Sequence, residues 1–478
     1  MRSRSLGPPT RRTFLLSAAG ALASPPKPPL NFILVVIDDL GWRDLGCYGS
    51  AFYETPHLDR LASQSMRFTN AYAACPVCSP TRASLMTGKY PARLQLTDWI
   101  PGRKQWPTAR LLIPAFNQQL PLSEVTIAEA LHAAGYVSAS IGKWHLGGAG
   151  FSPEQQGFDL NIAGTQRGSP ASYFGPFDLP NLRGGSAEEY LTDRLAGEAE
   201  KLIEQNKDRP FFLYLPHFAV HLPLQAKKAL IEKYRAKARP EQAQRDPVYA
   251  AMMESMDEAV GRVTRKLEEL KIADRTVLFF TSDNGGLIYE GGRKVPVTSN
   301  APLRAGKGHL YEGGIRVPLV AYWPGVTRAG GVCDVPVSSQ DFLPTILEMA
   351  GVKGVTVDGV SFAPLLKRTR RLKREALYWH YPHYSNQGGV PAGAVRQGDY
   401  KLIEFYGDGR LELYNLRDDI GERANLARRL PKKAAELDAM LKRWRASVSA
   451  TMPAVNPGYD PAKADQGLTG VEIKTEPQ

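Results

Sequence analysis

The 478-residue sequence predicts an α/β fold: a mostly parallel sheet flanked by helices, followed after about residue 365 by a region of a different kind. Three observations carry this expectation. Short runs that are apolar without alternation recur through the first 365 residues, as strands buried on both faces require. Stretches with helical periodicity separate them, so successive strands are joined by helical crossovers. Beyond residue 365, alternating strands flank an Asp-Gly turn, which marks an antiparallel hairpin.

Ser24-Pro25-Pro26-Lys27-Pro28-Pro29 is a stiff lead-in. Phe32–Ile37 then reads as a fully buried strand. Ile127–Ala134 reads as a helix, and Gly135-Tyr136 leads into the strand Val137–Ile141. Pro210–Leu215 is a further buried strand. Residues 248–270 form a long amphipathic helix, followed by the strand Thr276–Phe280. In the last part, Tyr400–Tyr406 and Arg410–Leu416 flank Gly407-Asp408-Gly409, and a helix runs from Pro431 to about Ala450. Polar residues with Pro and Gly make 456–478 a poorly ordered tail. No internal repeat is visible. The organisation is therefore a leader at 1–23, a large domain at 30–365, a smaller one at 366–455 and the tail.

The composition is that of a globular chain: 43% hydrophobic, 23% charged, mean hydropathy −0.30. Four scattered cysteines (Cys47, Cys75, Cys78 and Cys333) give no disulfide framework. Thr10-Arg11-Arg12-Thr13-Phe14-Leu15-Leu16 looks like a twin-arginine export signal, with Ala21-Leu22-Ala23 as a small-residue cleavage site. Phe14–Ala23 is too short to span a bilayer, which takes about 20 residues, and no later run replaces it. The expected destination is a bacterial periplasm, with no integral membrane segment. The formal charge of +12 loses four arginines with the leader and stays positive, which suits steering of a polyanion. The basic run at 367–374 lacks interleaved aromatics or a nucleic-acid motif, so it reads as a solvated linker and no nucleic-acid partner is expected.

Cys78-Ser79-Pro80-Thr81-Arg82 reads as a helix start. Pro80 suits the first turn, where its missing N–H costs nothing. Position 78 then sits where backbone N–H groups favour an anion, and Arg82, one turn on, shares that face. Cys75-Pro76-Val77-Cys78 is also a Cys-x-x-Cys unit, but nothing nearby supports a thioredoxin-like βαβ unit. Asp38-Asp39 and Asp283-Asn284 each follow a predicted strand, where ligands bind in open α/β sheets. Together they can converge on one hard cation through oxygen ligands; alone, each reads equally as a loop or turn.

The segment at 78–82, extended by Ala83-Ser84-Leu85-Met86-Thr87-Gly88, resembles the Cys-x-Pro-x-Arg signature of the sulfatases. The resemblance covers roughly Asn31 to Leu426, ending in Leu413-Tyr414-Asn415-Leu416, Gly421-Glu422 and Asn425-Leu426. It implies an alkaline-phosphatase-like α/β domain with a smaller C-terminal α+β domain on an antiparallel sheet. It implies oxidation of Cys78 to formylglycine by a formylglycine-generating enzyme. It also implies a calcium site at Asp38, Asp39, Asp283 and Asn284 with the modified residue 78 as a further ligand; magnesium stays open. Further roles follow from matching loops. In Gly142-Lys143-Trp144-His145-Leu146-Gly147, Lys143 would stabilise the aldehyde hydrate and His145 would take its proton. In Pro216–Leu224 two histidines compete; the framing Ala219-Val220-His221-Leu222-Pro223 assigns the leaving-group acid to His221 and leaves His217 a structural part. Lys307, in Ala305-Gly306-Lys307-Gly308, would bind the sulfate.

The function implied is hydrolysis of a sulfate ester, on a sulfated carbohydrate or an aryl sulfate. The hydrate attacks sulfur, a covalent sulfo-enzyme forms, and the hemiacetal collapses to expel sulfate. Two rivals remain: a phosphonate or phosphate-ester hydrolase of the same superfamily, and a sulfated-glycan-binding protein that kept the fold. The aromatic and polar stretch Tyr378–Gly389 suits either a sugar pocket or packing between domains, and galactose or N-acetylgalactosamine 4-sulfate is the preferred substrate type.

Overall fold

The structure is a computed structural model that describes residues 28–289, 295–368 and 371–463. The segment expected to be an export leader and the tail beyond Lys463 lie outside the described residues. At its centre nine strands form one sheet. In spatial order they are Gly331–Cys333, Met66–Tyr72, Arg316–Tyr322, Thr276–Ser282, Asn31–Ile37, Phe211–Pro216, Val137–Ile141 and Leu160–Ile162, with Val337–Ser338 also paired to Met66–Tyr72. Only Arg316–Tyr322 runs antiparallel to its neighbours. The expected mostly parallel sheet is therefore present.

The unbroken apolar run after Asn31 is explained by cover on both faces. Ile33, Val35 and Ile37 enter one core with Leu195, Met252 and Met256, from helices Leu191–Gln205 and Pro247–Glu269. Phe32, Leu34 and Val36 enter a second core with Leu85 and Ile346, from helices Cys78–Thr87 and Phe342–Ala350. The long helix starts where Asp246 accepts from the N–H groups of Val248 and Tyr249, with Pro247 at its first position. The helix at Ile127 carries a Thr126–Glu129 capping box but ends at His132, two residues short of expectation, as the chain turns through Gly135 (φ +83°).

Leu377–Tyr381, Ala392–Gln397, Tyr400–Phe405 and Leu411–Asn415 form a separate antiparallel sheet, with the hairpin at the Asp-Gly turn. One face is covered by Leu437 and Leu441 of helix Pro431–Ser447. The other packs Trp379, Tyr381 and Ile403 against Tyr72, Cys75 and Val77, the segment that leads into the Cys78 helix. The indole N–H of Trp379 donates to the Ala73 carbonyl at 2.8 Å.

One expectation needs correction. The tail is tied down as far as Lys463: the Asn456 amide donates to the carbonyls of Pro107 and Ala109 at 2.8 and 2.7 Å, and Ala454–Val455 pairs with Leu111–Leu112. In the basic run Lys367, Arg368, Arg371 and Lys373 are exposed, as a solvated linker requires, while Arg374 at its end pairs with the buried Asp341.

Lys401 is buried between Glu312 and Glu422, with Nζ 2.9 Å from a carboxylate oxygen of each. Lys401→Met leaves Glu312 to Arg316 but removes the cation paired with the buried Glu422, so it is expected to lower the unfolding free energy by about 3 kcal/mol or more in a denaturant titration. An unchanged midpoint would show that Lys401 does not neutralise that carboxylate.

Candidate active site

Ile37 pairs with Ser282 at the carboxyl ends of two adjacent parallel strands, so Asp38-Asp39 and Asp283-Asn284 emerge side by side. The Asn284 amide donates to Asp39 Oδ1 at 2.8 Å. The Cys78–Thr87 helix points its first residue at this place: Val77 is extended, Cys78 opens the helix, and Pro80 lies in the first turn. All ten residues of the helix are buried. Arg82 Nε donates to Asp283 Oδ2 at 2.8 Å, and Nη1 to the Lys143 carbonyl at 2.9 Å.

Gly142, ahead of Lys143, has φ +129°, and a Cβ there would lie 2.0 Å from the Pro216 carbonyl oxygen. Only glycine permits that approach. Lys143 Nζ reaches Asp38 Oδ2 at 2.6 Å. Lys307 Nζ reaches Asp39 at 2.7 Å. Three acids thus meet three cations: Asp38 with Lys143, Asp39 with Lys307, and Asp283 with Arg82. Burial opposes ionisation of Asp39, but Lys307 and His221 hold it down at about 2. Asp38 is pushed well above the usual carboxylate range by burial and by Asp283. Lys307 stays protonated against burial because Asp39 and Asp38 surround it.

His145 Nε2 lies 2.6 Å from the Ile100 carbonyl oxygen, which can only accept. Nε2 therefore carries the proton, and the free lone pair of Nδ1 faces Cys78 Sγ at 3.3 Å. Burial and Lys143 pull this imidazole well below its ordinary pKa and keep it neutral, the state of a base. His221 is similar: Nδ1 lies 2.9 Å from the Leu222 carbonyl, and Nε2 is 3.6 Å from Asp39 Oδ2. Burial and Lys307 pull it down to about 3. His217 is fully buried, and neither ring nitrogen has a partner among the described residues.

Asp39, His145 and Ala305 have φ of 62°, 58° and 57°, a region that costs a non-glycine residue about 1–3 kcal/mol. Such strain at three positions of one site matches the usual location of stored strain.

The residues also fit a metal. Asp38 Oδ1 and Asn284 Oδ1 are buried without a hydrogen-bond partner. Two orphaned oxygens beside two further carboxylates make an oxygen-rich donor set of the kind hard cations take. Asp38, Asp39 and His221 also offer ligand atoms within 4.8 Å of one another.

Cys78, His145, His221 and Lys307 open onto one cleft of about 1000 Å³, whereas His217 does not line it. No described residue lining the cleft is acidic, and five side-chain amides face it, among them Gln118, Gln166 and Asn386. Within Tyr378–Gly389 only Asn386 and Gln387 reach the cleft. The aromatic residues pack instead, as Tyr378 does on Trp444 at 5.0 Å. The loops at 99–101 and 166–168 also line the cleft. They carry neither periodicity nor a motif, so the sequence held no signal for them.

The Sulfatase family profile matches residues 30–352, and that of "N-sulphoglucosamine sulphohydrolase, C-terminal" matches 305–448. Arylsulfatase A of Homo sapiens is 35% identical over 432 residues, covering 84% of this chain and 79% of that one. N-acetylgalactosamine-6-sulfatase of Homo sapiens is 35% identical over 394 residues, covering 76% and 70%. Among solved structures, Ps i-CgsB in complex with k-i-k-neocarrahexaose superposes with a TM-score of 0.75 at 27% identity, covering 91% of this chain and 96% of that one.

Proposed function

The chain belongs to the sulfatase family and is a sulfuric ester hydrolase; we propose that it removes sulfate from a sulfated carbohydrate by S–O cleavage at position 78. One observation carries this reading: Cys78, three buried cations and an oxygen-rich cluster of Asp38, Asp39, Asp283 and Asn284 meet at the floor of one cleft whose described lining residues include no acid. The cleft amides suit sugar hydroxyls. The names of the relatives favour a galactose-type unit, since one is an N-acetylgalactosamine-6-sulfatase and another binds a neocarrahexaose.

Formylglycine, formed from Cys78 by a formylglycine-generating enzyme, supplies a pair of hydroxyls when hydrated, one to attack sulfur and one to drive sulfate release. Calcium at Asp38, Asp39, Asp283 and Asn284 supplies polarisation of the sulfate oxygens; magnesium fits the same donor types. Lys307 and Lys143 offset negative charge on the transferring group, and Arg82 fixes Asp283 and the Lys143 carbonyl. His145 takes a proton through Nδ1, its only free nitrogen. His221 lines the cleft with Nδ1 engaged by the Leu222 carbonyl, which leaves Nε2 to serve the leaving group; the incoming sulfate anion raises its proton affinity from the low value of the empty site. The leader at Thr10–Leu16 supports export to the periplasm. No described helix is long and apolar enough to cross a membrane.

Turnover of sulfate over phosphate or phosphonate esters tests this reading, and a dominant phosphatase activity would overturn it. Binding of a sulfated glycan without turnover would favour the glycan-binding rival. The histidines give a sharper test. His221→Ala should slow a sugar sulfate by roughly 10²-fold or more and an activated aryl sulfate such as nitrophenyl sulfate far less, because only the poor leaving group needs an acid. His217→Ala should affect both substrates alike. Selective loss at His217 would reverse the assignment.

A further inference from the structure

Arg167 is the one cation of the cleft whose charge nothing in the described protein offsets. Its side chain is exposed and lines the cleft with Cys78 and Lys307. Lys307 is held by Asp39, whereas no ion pair or side-chain hydrogen bond engages the Arg167 guanidinium among the described residues. The described residues that line the cleft contribute no acid to pair with it. An unpaired arginine in an acid-free cavity favours a second anion.

The loop that carries Arg167 is fixed to the reacting centre. The His145 N–H donates to the Thr165 carbonyl at 2.8 Å, and the Arg167 N–H donates to Thr165 Oγ1 at 3.0 Å. Gly168 presses on the His145 ring so closely that a Cβ there would lie 2.7 Å from Cε1. Arg167 is therefore held between two points of contact with the site. The cleft, at about 1000 Å³, is at the upper end of what small ligands fill, so it has room for more than one sugar unit.

We infer that Arg167 is a specificity residue that reads a second anionic group, a sulfate or a carboxylate, on the sugar carrying the reacting sulfate or on its neighbour. The substrate class is then a dianionic oligosaccharide rather than a singly sulfated neutral sugar. This rests on the sulfatase reading above and adds a requirement to it.

The test compares four substrates: nitrophenyl sulfate, a monosulfated neutral disaccharide, the same disaccharide with a second sulfate, and a monosulfated disaccharide with a uronic acid. The parent protein should show a lower KM for one or both dianionic sugars. Arg167→Gln should raise that KM roughly tenfold, the effect of losing a hydrogen bond to a charged group, and leave kcat unchanged. It should leave nitrophenyl sulfate untouched, and Arg167→Lys should recover part of the loss. Whichever dianionic sugar loses affinity identifies the second group. Equal effects on monoanionic and dianionic sugars, or none, would overturn the inference, as would a parent that hydrolyses nitrophenyl sulfate but prefers the monosulfated sugar. If no sulfate ester is turned over at all, the sulfatase reading itself fails.

Discussion

Cys78→Ala protein is expected to fold like the parent and to turn over no sulfate ester, with a loss of roughly 10⁴-fold or more, the scale of removing a covalent nucleophile. The side chain is small, 3% exposed, and meets His145 Nδ1 as its polar contact, so the fold loses little. The activity loses the position toward which His145 turns its lone pair. In material made with a formylglycine-generating enzyme, peptide mass spectrometry should find a carbonyl in place of the thiol at residue 78. Circular dichroism and thermal melting of the variant separate loss of chemistry from loss of fold. Full activity with an unmodified Cys78 thiol would sink the formylglycine mechanism.

Removing divalent metal should be comparably severe. The acids at 38, 39 and 283 are each paired with a cation, and in the proposed mechanism two of those cations, Lys143 and Lys307, receive the sulfate. A divalent ion bound by the carboxylates turns a balanced cluster into a net positive one, suited to an anionic ester. Without it, Asp38 and Asp39 would compete with the substrate for Lys143 and Lys307. Chelator-treated protein should lose activity by orders of magnitude and regain it with calcium better than with zinc, as oxygen ligands dictate. Asp38→Asn should weaken calcium binding, read as a smaller rise of melting temperature on calcium addition. Protein shown to be metal-free by elemental analysis yet fully active would end this assignment.

Much of the scaffold was legible because burial writes itself into composition. Phe32–Ile37 is apolar at every position since both faces are covered, and Val137–Ile141 coincides with the strand observed. The predicted helix at 248–270 and the observed Pro247–Glu269 differ by one residue at each end, because Asp246 and Pro247 mark its start. Met66–Tyr72 was not legible. It is half polar, with Arg67, Thr69 and Asn70 only partly buried, and its antiparallel neighbour Arg316–Tyr322 comes from far along the chain. In the site, residues on recurring motifs at strand ends could be named. The choice between His217 and His221 could only be framed, since their difference is one of burial against access to the cleft. The aromatic stretch at Tyr378–Tyr384 had two meanings, and packing between domains accounts for the aromatics in it.

The complete burial of the Cys78–Thr87 helix bears on the order of events in making this protein. In the finished fold that helix is closed in on one side by the central sheet, and the segment before it is covered by Trp379 and Tyr381. A cleft wide enough for a sugar admits a substrate to residue 78, but it does not admit another protein that must grip the backbone around it. Under the proposed formylglycine mechanism, oxidation of Cys78 by such a partner would therefore belong to the nascent or unfolded chain, with closure of the domain as the deadline. A chain that folded before modification would then be a well-formed, inert protein, and supplying the partner afterwards should restore nothing unless the chain is first unfolded.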